Sequence, residues 1–415
     1  MRKKMNSLLE KLQYKIYTYS QKYNDRYYLI IFKLIFFLIR SLFTKKKNDP
    51  TPTIPYLKKK KNENCLVIGC VLGGGIGDIL LGYLYIVKLS QKLDCKHKLH
   101  LFVGQSIDSV QSLLNNNQII SSISRMDSLP HNKDLDLLIR LEVQFPNLSF
   151  INHNKISRLS RFLIDYKNEL KKFEENYLNI VGSGDRTFYQ QAFCLIRNKT
   201  RITAMDVHEI LGLKNTDRLN LSIPDDGNNI LQKYNLSKKK YITINRSCDI
   251  NNKNSESLKL WPVQNFNELT SFLKSKYPEI PIIQLGYSAE RCKTISNTDI
   301  NLIGKTNFAE VMALLHNSFL HIDGEGGLVH LRHFLCAKPS VVLFGPTSPK
   351  NRGYPENINI RNTDCPCQFC EWIVGENWQS YCIKSGSAIP LCMCSISPSL
   401  VIKKIEESEI ISSQI

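Results

Sequence analysis

A glycine-rich turn carries the first side chain that could do chemistry. Gly73, Gly74, Gly75 and Gly77 follow a short apolar run, and Asp78 opens a helical pattern. Glycine lets a ligand approach the backbone closely, and a helix N-terminus offers unpaired N–H groups. A carboxylate there can serve as a general base, or it can simply cap the helix. We therefore take Asp78 as a candidate catalytic base, with Gly75 and Gly77 as candidate binding residues. The turn is not the dinucleotide G-x-G-x-x-G, since Asp78 stands in place of the third glycine.

Two cationic side chains are candidates for holding a phosphate. Lys259 precedes a rigid aromatic–proline corner at Trp261-Pro262, and Arg246 ends a predicted strand. A lysine ammonium can hold a phosphate as a point charge. Lysines are common on the surface of this chain, so Lys259 could equally be an ordinary exposed residue. A third pattern, Gly304-Lys-Thr, is not a phosphate-binding P-loop, because Asp299 stands where the first glycine is required.

The segment 321–333, HIDGEGGLVHLRH, is the densest group of polar residues beside glycines. Its glycines follow an apolar strand and precede an apolar helix, so backbone donors should face a cleft. Carboxylates suit sugar hydroxyls, and backbone N–H groups suit a pyrophosphate. The candidate binding residues for a nucleotide sugar are Glu325, Gly326, Gly327 and His330. The competing interpretation is a capping glutamate and a core histidine.

Six of the 13 cysteines lie within thirty residues: Cys365, Cys367, Cys370, Cys382, Cys392 and Cys394. No secretory signal peptide is recognisable, which favours a reducing compartment and a metal rather than disulfides. Four thiolates would suit tetrahedral zinc or iron. We predict a structural metal held by Cys367, Cys370, Cys382 and Cys392.

Alternating strands and helices must position these residues. Strands are predicted at 65–71, 98–103, 135–140, 241–245, 282–285, 319–322 and 340–344, and helices at 78–93, 106–115, 159–175, 266–276, 307–316 and 397–408. Such alternation favours parallel sheets covered by helices. An Asn307-x-x-Glu310 capping box and Ser397-Pro398 mark two helix starts. Ligands of such sheets bind beyond the carboxyl ends of the strands.

These segments resemble glycosyltransferase family 9, the ADP-heptose:lipopolysaccharide heptosyltransferases, in matching order over about residues 63–410. The Gly73–Asp78 turn is similar to the family's N-terminal signature, and Lys259-x-Trp-Pro to its K-x-W-P segment. Glu325-Gly-Gly-Leu-Val-His with Phe344-Gly-Pro-Thr is similar to its D-S-G-P-M-H and L-F-G-P-T run. Cys392-Met393 and the helix after it resemble the family's C-terminal end.

The resemblance implies a GT-B type α/β fold of two doubly wound, Rossmann-like domains facing a central cleft. It also implies metal-independent, inverting transfer, with Asp78 as base and Lys259 on the donor phosphate. Glu325, Gly326, Gly327 and His330 would shape the donor pocket. Glu325 replaces the family's usual Asp, and Gly326-Gly-Leu replaces Ser-Gly-Pro, which leaves the donor sugar open. The cysteine cluster resembles the iron-binding finger of a subgroup that heptosylates autotransporter adhesins, which leaves the acceptor open.

The N-terminal leader is basic and apolar. Residues 1–61 hold 16 Lys and Arg against Glu10, Asp25 and Asp49, so 13 of the 18 excess positive charges lie there. Basic residues recur every seventh position from Arg26 to Lys47, which on a helix forms one stripe. We predict a basic amphipathic helical leader on an anionic membrane surface, rather than a span or a helix packed on the protein's own body. The remainder carries too little charge for a nucleic-acid groove.

The predicted domains are a leader and linker at 1–62, an N-terminal acceptor domain at 63–225, and a C-terminal nucleotide-sugar domain at 226–415 with a cysteine-rich segment at 365–394. The predicted function is inverting transfer of heptose or a related sugar from an ADP-heptose-like donor to a lipid-linked lipopolysaccharide or lipooligosaccharide acceptor. Protein O-heptosylation of autotransporter adhesins and a catalytically silent sugar-nucleotide scaffold are the alternatives. The expected location is the cytoplasmic face of the membrane.

Overall fold

A computed structural model of the chain describes residues 64–414, apart from 105–106, 115–117, 132–133, 143–144, 182–199, 201, 203–208, 215, 220, 222, 224–226, 238, 248–256, 289–291, 337, 366–369, 371–380 and 383. The predicted leader and linker therefore lie outside the described residues. Among the helices that are described, none combines the length and the apolar character needed to cross a membrane. The described chain divides into two compact units, with the boundary between Asp217 and Arg218.

The first unit is built on a five-stranded sheet of order β3-β2-β1-β4-β5. Its strands are β1 (Leu66–Leu72), β2 (His97–Val103), β3 (Ile120–Arg125), β4 (Leu137–Glu142) and β5 (Phe145–Phe150). The first four pair in parallel, and β5 runs antiparallel to β4. β1 is central and almost wholly buried, as its apolar sequence predicts. The glycine turn that precedes Asp78 follows directly after the carboxyl end of β1.

Four helices connect or follow these strands: α1 (Ile76–Lys92), α2 (Ile107–Leu114), α3 (His153–Leu159) and α4 (Arg161–Val181). The helix predicted around 159–175 is present as α4, which begins at Arg161, and Ser160 separates it from α3. Asp94 explains the break. Its carboxylate accepts hydrogen bonds from the Ser160 hydroxyl and from the N–H groups of Arg161 (3.1 Å) and Phe162 (3.3 Å), and these bonds stabilise the start of α4.

The second unit is built on a six-stranded, fully parallel sheet of order β11-β10-β9-β6-β7-β8. Its strands are β6 (Ile242–Asn245), β7 (Ile282–Leu285), β8 (Ile300–Asn301), β9 (Leu320–Gly324), β10 (Ser340–Leu343) and β11 (Ile358–Ile360). The central strands β6, β9 and β10 are buried, and Trp261 and Phe266 pack on them in one apolar core. All six carboxyl ends therefore lie at one edge of the sheet.

The helices of the second unit are α5 (Gly227–Lys233), α6 (Val263–Lys276), α7 (Phe308–Asn317), α8 (Gly327–Cys336), α9 (Pro349–Arg352), α10 (Leu391–Cys394) and α11 (Pro398–Glu407). Two predicted helix starts are confirmed. Asn307 accepts from the N–H of Glu310 (2.9 Å) while Glu310 accepts from the N–H of Asn307 (2.9 Å). The Ser397 hydroxyl accepts from the N–H of Leu400 (3.2 Å), with Pro398 in the first turn.

Candidate functional site

In the first unit, Asp78 is held at the start of α1 by the backbone of the glycine turn. Its Oδ2 accepts a hydrogen bond from the N–H of Gly75 at 3.2 Å. Gly74 has φ +84, and a Cβ placed there would lie 2.5 Å from the same oxygen. Gly77 is buried within α1, whereas Gly75 is exposed. The predicted capping role of Asp78 is thus present, and the turn fixes where its carboxylate points.

In the second unit, two predicted site residues meet as an ion pair. The Lys259 Nζ lies 2.5 Å from Oε2 of Glu325, and both side chains are largely buried, 12% and 3% exposed. Lys259 lies on the corner before α6, and Glu325 directly follows β9. A Cβ at Gly324 would come within 3.0 Å of the Lys259 carbonyl oxygen, so the close approach of the two segments requires glycine there.

Two further side chains surround the Glu325 carboxylate. The Arg352 Nη1 lies 3.4 Å from Oε1, and the His330 Nε2 lies 3.5 Å from the same oxygen. Burial by itself raises the pKa of Glu325, but Lys259, Arg352 and His330 outweigh it and hold the pKa well below its usual value. Glu325 is therefore ionised, and the two cations against one carboxylate leave a net positive charge suited to a phosphate.

His330 extends this cluster into a second group of polar residues. Its Nδ1 lies 2.6 Å from the hydroxyl of Tyr354, whose ring stacks on that of His333 at 3.4 Å between centroids. His333 in turn contacts Glu356 through Nδ1 (2.6 Å) and Arg218 through Nε2 (2.9 Å). Both histidines lie on α8 one turn apart, as a spacing of three residues predicts.

Arg246 is hydrogen-bonded to the corner that contains Lys259 and Trp261. Its Nε donates to the carbonyl oxygen of Trp261 at 2.9 Å, and the side chain is buried. The indole N–H of Trp261 donates to the carbonyl of Ile396 at 2.8 Å. A small pocket at this edge is lined by Arg246, Lys259, Glu325 and their neighbours at 245–247, 259–261 and 323–325. Arg246 thus lies beside Lys259 at the carboxyl end of β6.

Gly326 and Gly327 lie at the start of α8. At Gly326 a Cβ would meet its first neighbour only at 3.8 Å, which is an ordinary contact. Gly327 is the first residue of α8, and the N–H of His330 bonds the Gly326 carbonyl at 3.4 Å. Both glycines lie between Glu325 and His330, so their backbone is part of the same turn.

Sequence reasoning missed Arg352, Tyr354 and Asp323. Arg352 lies on the four-residue helix α9, and no spacing links it to Glu325, 27 positions earlier. Asp323, inside β9, accepts from the Asn245 amide at 2.8 Å; burial raises its pKa despite His321 and Asn245. A polar residue inside each of two adjacent apolar strands was the signal that could have indicated the Asp323–Asn245 pair.

The structure describes three of the four predicted metal ligands, Cys370, Cys382 and Cys392, whereas Cys367 lies outside the described residues. Burial, together with the nearby sulfurs of Cys370, Cys365 and Cys382, raises the pKa of the Cys392 thiol. These soft thiols are the donor type that zinc and iron prefer. Among the residues that are described, however, no three His, Cys, Asp or Glu side chains are arranged to hold a metal. The described cysteines alone therefore do not complete a site.

Residues 201–372 match the family model of Glycosyltransferase family 9 (heptosyltransferase). The matched segment contains Arg246, Lys259, Glu325, His330 and Arg352, and Asp78 precedes it. None of the curated proteins compared with the chain matches it significantly.

Solved structures of similar fold include Escherichia coli ADP-heptose lipopolysaccharide heptosyltransferase II, at 13% identity and a TM-score of 0.50 over 84% of this chain and all of that one. Another is the iron-containing dodecameric glycosyltransferase TibC of enterotoxigenic E. coli, at 17% identity and 0.53 over 84% of this chain and 77% of that one. The structure of TibC in complex with ADP-D-β-D-heptose is 16% identical in sequence and has a TM-score of 0.53, over 86% of this chain and 79% of that one. The α/β fold with parallel sheets is thus similar to that of GT-B heptosyltransferases.

Proposed function

The chain is a glycosyltransferase with a family 9 (heptosyltransferase) domain, and we propose that it transfers a heptose or closely related sugar from an ADP-heptose-like donor, with inversion. The observation that carries this proposal is the buried cluster of Lys259, Glu325, Arg352 and His330 at the carboxyl edge of the second sheet. TibC, a protein of similar fold, is known in complex with ADP-D-β-D-heptose, which supports the choice of donor.

The charges of the cluster suit the departing diphosphate. Lys259 has three N–H donors, and Glu325 Oε2 occupies one of them. The Lys259 ammonium and the Arg352 guanidinium are the groups proposed to bind phosphate oxygens, while Glu325 holds both cations in place. Arg246 adds a further positive charge beside Lys259. Preorganised cations of this kind stabilise the negative charge that develops on the leaving group.

Asp78 is the proposed base. As the acceptor oxygen attacks the anomeric carbon, its proton passes to the Asp78 carboxylate. The bond between that carbon and the donor oxygen breaks, and its electron pair leaves with the nucleoside diphosphate. Attack from the opposite face inverts the anomeric centre. The Gly75 N–H orients the Asp78 carboxylate, and a general base must be positioned in this way.

The proposed acceptor is the core saccharide of a lipopolysaccharide or lipooligosaccharide, since the family is that of heptosyltransferases. Protein O-heptosylation is the second candidate, because TibC, called iron-containing, shares the fold, and this chain has the cysteine-rich segment 365–394. A sugar-nucleotide scaffold without turnover is the remaining alternative. The leader at 1–62 is proposed to bind an anionic membrane surface on the cytoplasmic side.

We also propose that Cys367, Cys370, Cys382 and Cys392 hold a structural zinc or iron. Four thiolates are a complete ligand set for either metal, and none of these residues takes part in the transfer step. Elemental analysis of the purified protein should give one equivalent of metal per chain. The Cys370→Ser, Cys392→Ser double variant should lose it, whereas Cys70→Ser, a control at a buried cysteine of β1, should retain it. A metal-free wild type would reject this site.

The test of the function is a donor screen followed by mass spectrometry. The purified protein is incubated with ADP-heptose, UDP-glucose or GDP-mannose, each with heptose-free lipopolysaccharide or an unmodified autotransporter adhesin. We expect release of ADP and a mass increase of one heptose on the lipopolysaccharide. A mass increase on the adhesin would favour the second candidate. Tight ADP-heptose binding without transfer to either acceptor would favour the scaffold.

A further inference from the structure

Three polar side chains after β10 are buried without a hydrogen-bond partner. Thr347, Ser348 and Asn351 are only 1%, 4% and 3% exposed. The two hydroxyl oxygens and both amide atoms of Asn351 have no partner among the residues that the structure describes. Buried polar groups are nearly always paired, because an unpaired one has lost its hydration without compensation. Four such atoms within five residues point to a ligand that pairs with them.

The segment that carries them contacts Glu325 at both of its ends. The N–H of Glu325 donates to the carbonyl of Leu343, the last residue of β10, at 3.1 Å. Nine residues later, the Arg352 Nη1 donates to the Glu325 carboxylate at 3.4 Å. Thr347, Ser348 and Asn351 lie between these two contacts. They therefore lie on the loop whose two ends contact Glu325.

These side chains are not needed to shape the loop. The N–H of Arg352 bonds the Ser348 carbonyl at 2.9 Å, and the N–H of Gly353 bonds the Pro349 carbonyl at 2.8 Å, so the backbone closes α9 by itself. The Ser348 hydroxyl lies at the N-cap position but makes no capping bond. The polar side chains therefore have no structural role that explains their burial.

The unpaired groups are neutral and combine donors with acceptors. Thr347 and Ser348 can each donate and accept, and the Asn351 amide donates through Nδ2 and accepts through Oδ1. Each hydroxyl of a sugar also donates and accepts, so several hydroxyls together can pair with all four atoms. A phosphate only accepts, and it would leave the Asn351 Oδ1 unpaired. The composition of the group therefore selects a polyhydroxylated sugar over the diphosphate.

We propose that Thr347, Ser348 and Asn351 form the subsite that binds the hydroxyl groups of the transferred sugar. This inference rests on the proposed function and deepens it, because it separates recognition of the sugar from binding of the diphosphate by Lys259 and Arg352. The four polar atoms are shielded from solvent, so the loop must rearrange when the sugar enters. Hydrogen exchange of peptides covering 344–353 should therefore change with ADP-heptose and not with ADP.

The test compares the affinities of ADP-heptose and ADP by calorimetry. The variants Thr347→Val, Ser348→Ala and Asn351→Leu remove the unpaired groups with little change in shape. Each should weaken ADP-heptose binding by about 2-fold to about 12-fold, the range for one neutral hydrogen bond, and leave ADP binding unchanged. Thr270→Val is the matched control, since the Thr270 hydroxyl is buried in α6 near three backbone carbonyls. It should lower Tm and leave both affinities alone.

The melting temperature supplies an independent readout. Because Thr347 and Asn351 have unpaired polar atoms, their apolar replacements should leave Tm unchanged or raise it. A fall in Tm with unchanged affinities would assign these groups a structural role and overturn the subsite. Variants that keep the full preference for ADP-heptose over ADP would also overturn it, with the donor proposal intact. Equal wild-type affinity for the two compounds would show that the sugar adds nothing to binding and would also overturn the subsite, whereas no detectable binding of ADP-heptose would reject the proposed donor.

Discussion

Removal of the negative charge at Glu325 should destabilise the second unit strongly. Glu325→Gln keeps the shape of the side chain but removes the carboxylate charge that pairs with both Lys259 and Arg352. Their side chains are only 12% and 10% exposed, so water cannot replace the lost carboxylate. A buried ion pair that loses one partner retains the desolvation cost of the other.

The magnitude follows from the distances. At an effective dielectric constant of about 20, the pair at 2.5 Å is worth ~7 kcal/mol and the pair at 3.4 Å ~5 kcal/mol. Desolvation of the three charged groups offsets most of this attraction. The measured loss for breaking such a pair is about 3–5 kcal/mol, which we expect for Glu325→Gln. Lys259→Met should cost less, because Glu325 keeps Arg352.

Urea unfolding, monitored by tryptophan fluorescence to which Trp261 in the core of the second unit contributes, measures this loss. Glu407→Gln is the matched control, since its pair with Lys404 at 2.7 Å is exposed to solvent and screened. It should unfold at the wild-type urea concentration. A Glu325→Gln midpoint equal to that of the control would refute the account of the cluster. The Lys259→Met, Glu325→Gln double variant should recover part of the loss.

Three further outcomes are expected. The pKa of Glu325 is lower in the folded state than in the unfolded chain. The ionised carboxylate therefore stabilises the folded state fully above the unfolded pKa near ~4.3, and this stabilisation is lost as the pH falls toward the folded pKa. The difference in urea midpoint between wild type and Glu325→Gln should shrink from pH 7 to pH 3.5. Gly74 has φ +84, and a Cβ there would lie 2.5 Å from the Asp78 Oδ2, so Gly74→Ala should lower the free energy of unfolding by about 1–3 kcal/mol in thermal melts. Gly75→Ala should lower it far less, because a Cβ there would meet no atom within 4 Å. Arg332→Met should reduce Tm clearly, since it leaves the Ser318 hydroxyl and the Leu315 carbonyl, both bonded by Nη1, without that donor; an unchanged Tm would contradict this assignment.

Much of the fold could be predicted because the apolar strands and the helix caps that the sequence indicates are the ones that form in the packed structure. Strand β7 matches its predicted bounds, and the capping box at Asn307 and the Ser397 cap both form as the sequence indicates. Strands β3 and β5 were missed because their residues alternate weakly and lie at the two edges of the first sheet. Edge strands are buried less, so their sequences give less periodicity to detect.

The sequence predicted a residue of the candidate site only where a charged side chain stands beside a proline or glycine turn. Lys259 and Glu325 each stand beside a recognisable corner, and they pair. Arg352 could not be predicted, because its approach to Glu325 depends on how the loop after β10 folds back. The orphaned atoms of Thr347 and Asn351 are likewise a property of the packed structure, since burial without a partner leaves no pattern in a sequence.

The most direct test of the central claim is the transfer rate of Asp78→Asn at saturating ADP-heptose with heptose-free lipopolysaccharide. Asparagine keeps the size of the side chain and its bond from the Gly75 N–H but cannot take a proton. We predict that ADP-heptose binds with wild-type affinity and that the rate falls by about 10²–10⁴-fold, the range for loss of a general base. A rate equal to that of the wild type, with donor binding intact, would contradict the mechanism.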